Sequence, residues 1–332
     1  MSVLAALDKF KGTATSTELG AAVARAARAA GLDADAIVVS DGGDGLLEVF
    51  GGPNQQTGVT GPLGETVAAP WRLDGERAVI ESALASGLVL AGGAAGNDPV
   101  AATSRGTGEL VEAAIRAGAT RIVLGVGGSA CTDGGLGAVA ALSDSVLDAL
   151  RDRRVTITVC CDVDTRYEDA ARVFGPQKGA DPDQVAALAR RLRDARAALL
   201  ARFGVDVGAV PGGGAAGGLA GGLAAVGAQL RPGFELAAAE SGLPAAVASA
   251  DLVVTGEGRL DAESFAGKVV GGVVALARAA GTDVVAIVGD LAPGIAVDFP
   301  VVSLVDRFGV DRATRDAVAC VEIVARELLT AR

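Results

Sequence analysis

The chain has 332 residues, a formal net charge of −11 and no histidine. This length suggests two domains or one large one, and the negative charge argues against a nucleic-acid partner, because phosphate backbones require clustered cations. The absence of histidine excludes the Ser-His-Asp triad, the Cys-His pair and the HExxH metal site. Any acid or base must therefore be a carboxylate, a lysine, a tyrosine, a thiolate or a hydroxyl group.

Neither a membrane anchor nor a secretion signal is predicted. No apolar run is long enough to span a bilayer, and the first residues, SVLAALDKFKG, lack a basic start and a cleavage site. The four cysteines, Cys131, Cys160, Cys161 and Cys320, show no CxxC spacing. In a chain of this length they do not indicate a disulfide framework. We therefore expect a cytoplasmic protein with reduced thiols and no membrane partner.

Apolar runs and helical periods alternate along the chain. Strands are predicted, in chain order, at 2–8, 35–40, 66–73, 77–82, 121–126, 153–163, 250–258, 283–290 and 299–305. Helices are predicted at 17–30, from about residue 107, after residue 137, and at 182–203, 268–280 and 311–329. Apolar strands that are bounded by glycine and separated by helices favour α/β folds with parallel sheets and helices on both faces.

The character of the strands predicts two domains. The first two strands and the last three are short and fully apolar, whereas the middle of the chain has mixed polar strands and the densest glycine. We expect one α/β domain with a parallel sheet, built from residues 1–50 and 244–332. A second α/β domain with a mixed sheet is expected at 51–243. The natural binding site would be the cleft between them.

The segment GVGGSACTDGG, residues 125–135, follows a predicted strand. Its glycines would present backbone N–H groups at a strand-to-helix turn, where an anion can bind. Gly127, Gly128 and Ser129 are therefore candidate phosphate-binding residues, and Asp133 is a candidate base. The segment also matches the dinucleotide fingerprint GxGxx[GA], although such matches arise easily in a chain with 48 glycines. An NAD-binding oxidoreductase stays open as an alternative.

The segment SDGGDG, residues 40–45, places two carboxylates on a glycine turn at the end of a predicted strand. Ligands of open α/β sheets bind at the carboxyl ends of strands, and paired carboxylates there suit Mg²⁺ or a hydroxyl proton. Asp41 is therefore a candidate for catalysis and for metal binding, and Asp44 for metal binding. The alternative is a tight turn with capping aspartates.

Two further segments precede predicted helices. In TSRGTGE, Ser104 and Arg105 could grip a carboxylate or a phosphate at the helix start, or Thr107 could simply cap the helix. In PGGGAAGGLAGG, Gly213 and Gly214 could cradle a phosphate. The alternative for these glycines is close helix packing through small residues.

Lysine is rare in this chain. Four of the 29 basic residues are lysines, Lys9, Lys11, Lys178 and Lys268, and all four lie in the unusual segments. A compact ammonium differs from a planar guanidinium, so Lys11, Lys178 and Lys268 are candidate catalytic cations. Lys178, in FGPQKGA, is expected in an exposed and stiff loop, as a phosphate clamp or as a solvated charge. Sparse lysines, clustered carboxylates and glycine loops together indicate phosphoryl transfer.

The motifs, taken together and in order, resemble the bacterial glycerate kinase type-1 family. They are DKFKGT, SDGGDG, TSRGTGEL, GVGGSACTDGG, FGPQKGA, PGGGAAGGLAGGL and VVTGEGRLDAESFAGK, and they span nearly the whole chain. The resemblance implies a flavodoxin-like domain formed by both termini, with a second domain inserted. It also implies phosphorylation of D-glycerate, usually at the 2-hydroxyl group, with ATP and Mg²⁺. A small-molecule substrate is expected, and a homodimer is an open prediction.

Two more carboxylates end predicted strands: Asp8, a candidate for substrate binding with Ser104 and Arg105, and Glu257, a candidate for nucleotide binding. The chain departs from the family pattern at three places. These are Ala6-Leu7-Asp8, the region of residues 144–154, where a glycine-rich segment is missing, and the stretch 164–167. A related small hydroxy acid is therefore an alternative acceptor.

Overall fold

The computed structural model describes residues 1–265 and 267–330, and Ala266, Ala331 and Arg332 lie outside the described residues. The chain divides into two compact units. The terminal domain comprises Met1–Asp41 with Phe234–Arg332, and the inserted domain comprises Gly42–Gly233. Each domain is described by itself, so the prediction of a binding site between them stays a prediction.

The described elements alternate between strands and helices. The strands are β1 (Ser2–Leu7), β2 (Asp33–Ala36), β3 (Gln55–Thr60), β4 (Thr66–Asp74), β5 (Arg77–Glu81), β6 (Arg121–Gly125), β7 (Thr156–Cys160), β8 (Gln229–Arg231), β9 (Leu252–Gly256), β10 (Arg259–Leu260), β11 (Asp283–Val288), β12 (Asp290–Leu291) and β13 (Val301–Ser303). The α-helices are α1 (Ser16–Ala29), α2 (Leu46–Val49), α3 (Ala83–Ser86), α4 (Gly93–Gly96), α5 (Arg105–Arg116), α6 (Leu136–Ala141), α7 (Asp144–Arg151), α8 (Ala170–Phe174), α9 (Pro182–Phe203), α10 (Leu219–Ala225), α11 (Gly233–Ser241), α12 (Leu243–Ser249), α13 (Val269–Ala280), α14 (Leu304–Phe308), α15 (Val310–Arg315) and α16 (Ala317–Thr330). Short 3₁₀ turns lie at Tyr167–Asp169, Pro176–Lys178, Val207–Ala209, Ala215–Gly218 and Ala262–Phe265.

The terminal domain is built on a five-stranded sheet in the order β13-β11-β9-β1-β2. All four neighbouring pairs are parallel. Counted within this domain alone, the order is that of the flavodoxin-like doubly wound fold, 2-1-3-4-5. The predicted α/β domain formed by both chain ends is confirmed, and its topological switch point lies between β1 and β9.

The apolar sequence of β1 explains why helices cover both faces of this sheet. Val3, Ala5 and Leu7 belong to the core formed with α1 and α16. Leu4 and Ala6 belong to the core formed with α11, α12 and α13. Successive side chains of a strand point to opposite faces, so a strand that is apolar throughout requires burial on both sides.

The inserted domain is built on a six-stranded mixed sheet in the order β3-β4-β5-β6-β7-β8. The β3-β4 and β4-β5 pairs are antiparallel, and the other pairs are parallel. The sheet packs against α5, α6, α7 and α10. Helix α9 begins with a capping box between Asp181 and Gln184 and ends at Gly204 in the left-handed conformation. Its bounds, 182–203, are those predicted from the sequence.

The domain division falls earlier than predicted at both ends of the insertion. The turn after Asp41 belongs to the inserted domain, where the N–H group of Leu47 donates to Glu81 Oε1 at 2.8 Å. Phe234 belongs to the terminal domain, because its ring packs in the core beneath β1. These long-range contacts, rather than the glycine content of the chain, decide where each domain ends.

Two predicted elements differ from the observed ones. The strand predicted at 35–40 ends at Ala36, and the chain then leaves the sheet so that the N–H group of Val39 donates to the Ser16 hydroxyl at 3.3 Å. The helix predicted at 311–329 is two helices, because Asp316 has non-helical angles (φ −120°, ψ 32°).

Gly256 tests the close packing of the terminal sheet. A Cβ atom at this position would collide with the backbone carbonyl group of Ile287. Because a backbone cannot rotate away as a side chain can, Gly256→Ala should lower the free energy of unfolding by about 1–3 kcal/mol, measured by urea denaturation. Gly58→Ala is the control, since a Cβ there would meet only Thr66 Cγ2 at 3.8 Å. Equal losses in both variants would contradict the packing described.

Candidate functional site

The glycine segment between β6 and α6 forms an irregular loop, residues 126–135, called here the glycine loop. The N–H groups of Gly127, Gly128 and Ser129 donate to no acceptor among residues 1–265 and 267–330. Gly128 is exposed and has a φ of 58°. Its carbonyl group accepts the N–H group of Leu88 at 2.7 Å, which anchors the loop. Consecutive N–H groups without acceptors are the kind of backbone donors that can bind an anion.

The carboxylate of Asp44 borders the glycine loop. A Cβ atom on Gly128 would lie 3.1 Å from Asp44 Oδ1, and one on Gly127 would lie 3.3 Å from Gly43 Cα. The lack of side chains on the loop therefore allows the SDGGDG turn to approach it. A carboxylate beside an anion-binding loop is repelled by a bound phosphate unless a cation lies with them, and carboxylate and phosphate oxygens are the donors that Mg²⁺ prefers.

The donor set of Asp44 and a phosphate therefore fits Mg²⁺. Within the described part of the chain, no three or more cysteine, aspartate or glutamate side chains form a group that could hold a metal. Mg²⁺ usually takes one or two carboxylates and completes its shell from phosphates and water. Asp41, the other predicted metal ligand, lies in the terminal domain, with Oδ1 3.9 Å from Lys9 Nζ.

Asp133, predicted as a base, is buried, with 1% of its surface exposed. Its Oδ2 atom accepts the N–H and the hydroxyl groups of Ser104, both at 2.8 Å. Its Oδ1 atom accepts the N–H group of Gly135 at 3.0 Å. A carboxylate that is buried with donors on both oxygens is not accessible to a ligand, so the geometry favours a structural role, tying α5 to the glycine loop.

Ser104 and Arg105 were predicted to grip the substrate together. The Ser104 hydroxyl is fully buried, bonds to Asp133 and accepts the N–H group of Ala138 at 3.0 Å, so it is not accessible to a ligand. Arg105 is half-exposed, and its Nε atom donates to Glu109 Oε1 at 2.8 Å. Of the two residues, Arg105 alone presents its side chain to solvent.

Lys178 is not exposed, and that prediction is wrong. Only 3% of its surface is accessible. Its Nζ atom donates to Ser129 Oγ at 2.9 Å and to the Cys131 carbonyl group at 2.5 Å, and burial lowers the pKa of the ammonium group. The 3₁₀ turn Pro176–Lys178 points the side chain inward, under the glycine loop.

The predicted phosphate cradle at Gly213 and Gly214 has no free donors at these positions. The N–H group of Gly213 donates to the Val210 carbonyl at 3.0 Å, and that of Gly214 donates to the Thr165 carbonyl at 2.9 Å. The contacts therefore favour the alternative of close packing through small residues.

Carboxylates also gather in the terminal domain, at the switch point of its sheet. Asp8 directly follows β1 and Glu257 directly follows the neighbouring β9. Asp8 Oδ1 accepts the N–H group of Lys9 at 2.8 Å and lies 3.5 Å from Lys9 Nζ. Asp41 Oδ1 shares the same ammonium at 3.9 Å. Ligands of doubly wound sheets bind at this position.

Both strand-end carboxyl groups titrate near neutral pH. Burial raises the pKa of Asp8 to about 6, against the lowering effect of Lys9. Burial likewise raises the pKa of Glu257 to about 7, with a hydrogen bond from Ser264 opposing the shift. Glu257 Oε1 has no hydrogen-bond partner in the described part of the chain. Carboxyl groups with such pKa values are typical of acid and base catalysts.

Two predicted cations lie in the same domain. Lys268 caps α13, and its Nζ atom donates to Glu263 Oε2 at 3.0 Å, while its charge lowers the pKa of Glu257. Lys11 is exposed, and a Cβ atom on Gly258 would lie 3.5 Å from its backbone nitrogen. The structure thus brings both lysines near Glu257.

Comparison with known proteins identifies the family. Residues 3–153 and 148–314 match the sequence model of the glycerate kinase family. The chain belongs to the glycerate kinase family. It is 37% identical over 333 residues to glycerate 2-kinase of Escherichia coli K12, covering 90% of this chain and 87% of that protein. It is 36% identical over 330 residues to glycerate kinase of Bacillus subtilis 168, covering 88% and 85%.

A solved structure supports the same conclusion. The crystal structure of a protein assigned as glycerate kinase 2 from Salmonella typhimurium LT2 has a TM-score of 0.79 and 34% identity, covering all of this chain and 98% of that one. The resemblance inferred from the motifs is confirmed. As a member of the glycerate kinase family, the chain is a kinase that acts on a small molecule, and the family implies ATP as phosphate donor. Membership removes the oxidoreductase alternative.

No helix of residues 1–265 and 267–330 combines the length and apolar character needed to cross a bilayer.

Sequence reasoning missed Tyr167 in this member of the glycerate kinase family. The side chain is fully buried, and its hydroxyl group donates to the Gly134 carbonyl at 2.7 Å. A Cβ atom on Gly134 or Gly221 would collide with the tyrosine. Tyr167 therefore packs between the glycine loop and the 211–222 segment. The available signal was that it is the single tyrosine of the chain.

Glu257 predicts a pH-dependent stability. Its pKa is raised from 4.5 to about 7 in the folded chain, so between these pH values the folded state keeps a proton that the unfolded state has released. Stability therefore falls as pH rises through this window. Glu257→Gln cannot ionise, and it should gain about 1–3 kcal/mol relative to the parent between pH 5 and pH 8, measured by urea denaturation.

Glu18→Gln is the control with the opposite sign. A hydrogen bond from the Thr15 N–H group lowers the pKa of Glu18, so its stabilising contribution is complete above its ordinary pKa, and the glutamine variant should lose stability at pH 8. A pH-independent difference between Glu257→Gln and the parent would contradict the raised pKa.

Proposed function

We propose that the chain transfers the γ-phosphoryl group of ATP, with Mg²⁺, to the 2-hydroxyl group of D-glycerate and releases 2-phosphoglycerate and ADP. One observation carries the proposal. In a chain of the glycerate kinase family, three N–H groups of the glycine loop are without acceptors among the described residues, and Asp44 borders them. The E. coli relative is named glycerate 2-kinase, which supports the 2-position.

The glycine loop would bind the phosphates of ATP. The N–H groups of Gly127, Gly128 and Ser129 have no acceptor among the described residues, and fixed donors stabilise the charge that develops on a transferring phosphoryl group. Asp44 would hold Mg²⁺, which neutralises phosphate charge when it is bound. The predicted roles of Gly213 and Gly214 in phosphate binding are not part of this proposal, because their N–H groups are occupied.

The terminal domain would supply the base. The glycerate 2-hydroxyl oxygen attacks the γ-phosphorus, its proton passes to the Asp8 carboxylate, and the bond from phosphorus to the ADP oxygen breaks. Asp8 is favoured over Asp133, because Asp133 is buried with donors on both oxygens. A pKa of about 6 leaves Asp8 ionised yet basic near neutral pH. Asp41 stays the second candidate.

The remaining roles are proposals that rest on charge and exposure. Arg105, half-exposed at the start of α5, would bind the glycerate carboxylate. Lys11 and Lys268 would stabilise negative charge, and Glu257 would contact the nucleotide. A cytoplasmic location and a homodimer stay predictions, as does the absence of a nucleic-acid partner, which the net charge of −11 supports.

The reaction is tested directly on the purified chain. With ATP, Mg²⁺ and D-glycerate, we expect ADP formation, a single product with the ³¹P NMR signal of 2-phosphoglycerate, and complete loss of turnover in EDTA. L-Glycerate and a four-carbon hydroxy acid are the matched controls. Formation of 3-phosphoglycerate would overturn the position, and faster turnover of the four-carbon acid would favour the alternative acceptor. No phosphorylation of any of these acids would overturn the proposed function.

The base assignment predicts a pH profile. Asp8→Asn should lower kcat by about 10²-fold or more, a loss typical of a removed general base. In the parent, kcat/KM should fall as pH drops below about 6, because the carboxyl group then holds a proton. The variant should lack this fall. Asp41→Asn serves as the comparison. If kcat falls in Asp41→Asn and stays at the parental value in Asp8→Asn, the base is Asp41 rather than Asp8.

A further inference from the structure

The Lys178 ammonium group is buried under the glycine loop without a carboxylate at ion-pair distance. Its hydrogen-bond acceptors are the Ser129 hydroxyl oxygen and the Cys131 carbonyl oxygen, which are both neutral. Among the described residues, no carboxylate oxygen lies within 4.0 Å of Nζ. The charge of Asp133 favours the ammonium from beyond this distance, but a buried charge without an ion-pair partner is costly.

The backbone around Lys178 holds the side chain in this position. The side-chain amide of Asn97 donates to the Lys178 carbonyl at 2.9 Å and to the Ala130 carbonyl at 3.2 Å. One amide thus ties the lysine backbone to the glycine loop. Gly179 follows with a φ of 93°, and a Cβ atom there would collide with the Ala94 carbonyl. The lysine is therefore part of the scaffold of the loop rather than a mobile surface group.

The ammonium group determines the direction of the Ser129 hydroxyl. A lysine ammonium can only donate, so Ser129 Oγ must accept from it. The hydroxyl hydrogen of Ser129 then has to point to another acceptor, and no described residue accepts it. Its own backbone N–H group is also without an acceptor among residues 1–265 and 267–330. Ser129 is 5% exposed, and it therefore has two donors left for an anion that binds on the loop.

We propose that Lys178 is a positioning residue for the nucleotide phosphates: it makes the Ser129 hydroxyl a dedicated donor toward the phosphate on the glycine loop, and the phosphate in turn balances its buried charge. This inference rests on the proposed function, in which the glycine loop binds ATP. Lys178 acts here through Ser129, whereas the sequence had suggested a direct phosphate clamp.

A double-mutant cycle tests this coupling. Lys178→Met and Ser129→Ala should each raise the Kd for ATP, measured by titration calorimetry without glycerate, and the KM for ATP by about tenfold or more. The KM for glycerate should change much less. Because both residues act through one hydroxyl group, the Kd of the double variant for ATP should not exceed the higher Kd of the two single variants. Additive losses would overturn the inference.

Arg196→Met is the matched control, since it also replaces a cation of the inserted domain by methionine. Arg196 pairs with Glu168 and Asp206, each at 2.6 Å, and its side-chain hydrogen bonds go to these two carboxylates rather than to the glycine loop. It should lower the melting temperature and leave the Kd for ATP unchanged. If Lys178→Met fails to fold, Ser129→Ala decides alone: a parental Kd for ATP in that variant overturns the inference.

The two proposals fail separately. If the parent binds ATP but phosphorylates no hydroxy acid, the proposed function fails, and the cycle on ATP binding still decides the role of Lys178. If the parent is an active glycerate kinase and both variants keep the parental Kd and KM for ATP, the role of Lys178 is overturned and the proposed function stands.

Discussion

The inserted domain depends on the close approach of three glycine-rich segments: the SDGGDG turn, the glycine segment 125–135 and the 211–222 segment. A Cβ atom on Gly125 would lie 2.7 Å from the Gly42 carbonyl oxygen, and one on Gly222 would lie 2.7 Å from the Gly134 carbonyl oxygen. A backbone carbonyl cannot turn aside, so these contacts require glycine at positions 125 and 222. The SDGGDG turn and the 211–222 segment thereby support the glycine loop from two directions. The loop is held by its neighbours, and the N–H groups of its exposed part are left for a ligand.

The two domains contribute different chemistry. The inserted domain offers neutral, fixed donors on the glycine loop and the carboxylate of Asp44 beside them. The terminal domain offers two carboxyl groups, Asp8 and Glu257, whose pKa values burial raises to about 6 and about 7. In the proposed function, positioned donors and a metal stabilise the moving phosphoryl group, and the acceptor hydroxyl loses a proton to a carboxylate. Because the chain has no histidine, groups that titrate near neutral pH must be of another type, and here they are buried carboxyl groups.

Burial of ionisable groups is costly, and several buried ionisable groups lie in the predicted site segments of this chain. Lys178, Asp133 and Glu257 are each less than 10% exposed. Asp133 is compensated by donors on both oxygens, whereas Lys178 and Glu257 Oε1 are compensated only in part by the described residues. A bound ligand can supply the missing hydrogen bond or opposite charge to such a buried group. Natural proteins commonly give up stability for sites of this kind.

The sequence by itself determined the fold class, the insertion and the family. Apolar strands that alternate with helices require sheets covered on both faces, and short motifs in a conserved order require no knowledge of packing to be recognised. The helical pattern also placed α9 at its observed bounds, and the local caps at Asp181, Gln184 and Gly204 explain why it begins and ends there.

Only the tertiary structure decided where the predicted site residues lie and what they contact. The bond of Lys178 joins residues 49 positions apart, that of Tyr167 joins residues 33 apart, and Asp133 reaches Ser104 across 29. Whether a lysine is a solvated charge or a buried donor depends on which distant segment covers it. The local sequence FGPQKGA is compatible with both. Burial and hydrogen bonding arise from these long-range contacts, and a chain pattern of period two or 3.6 contains no information about them.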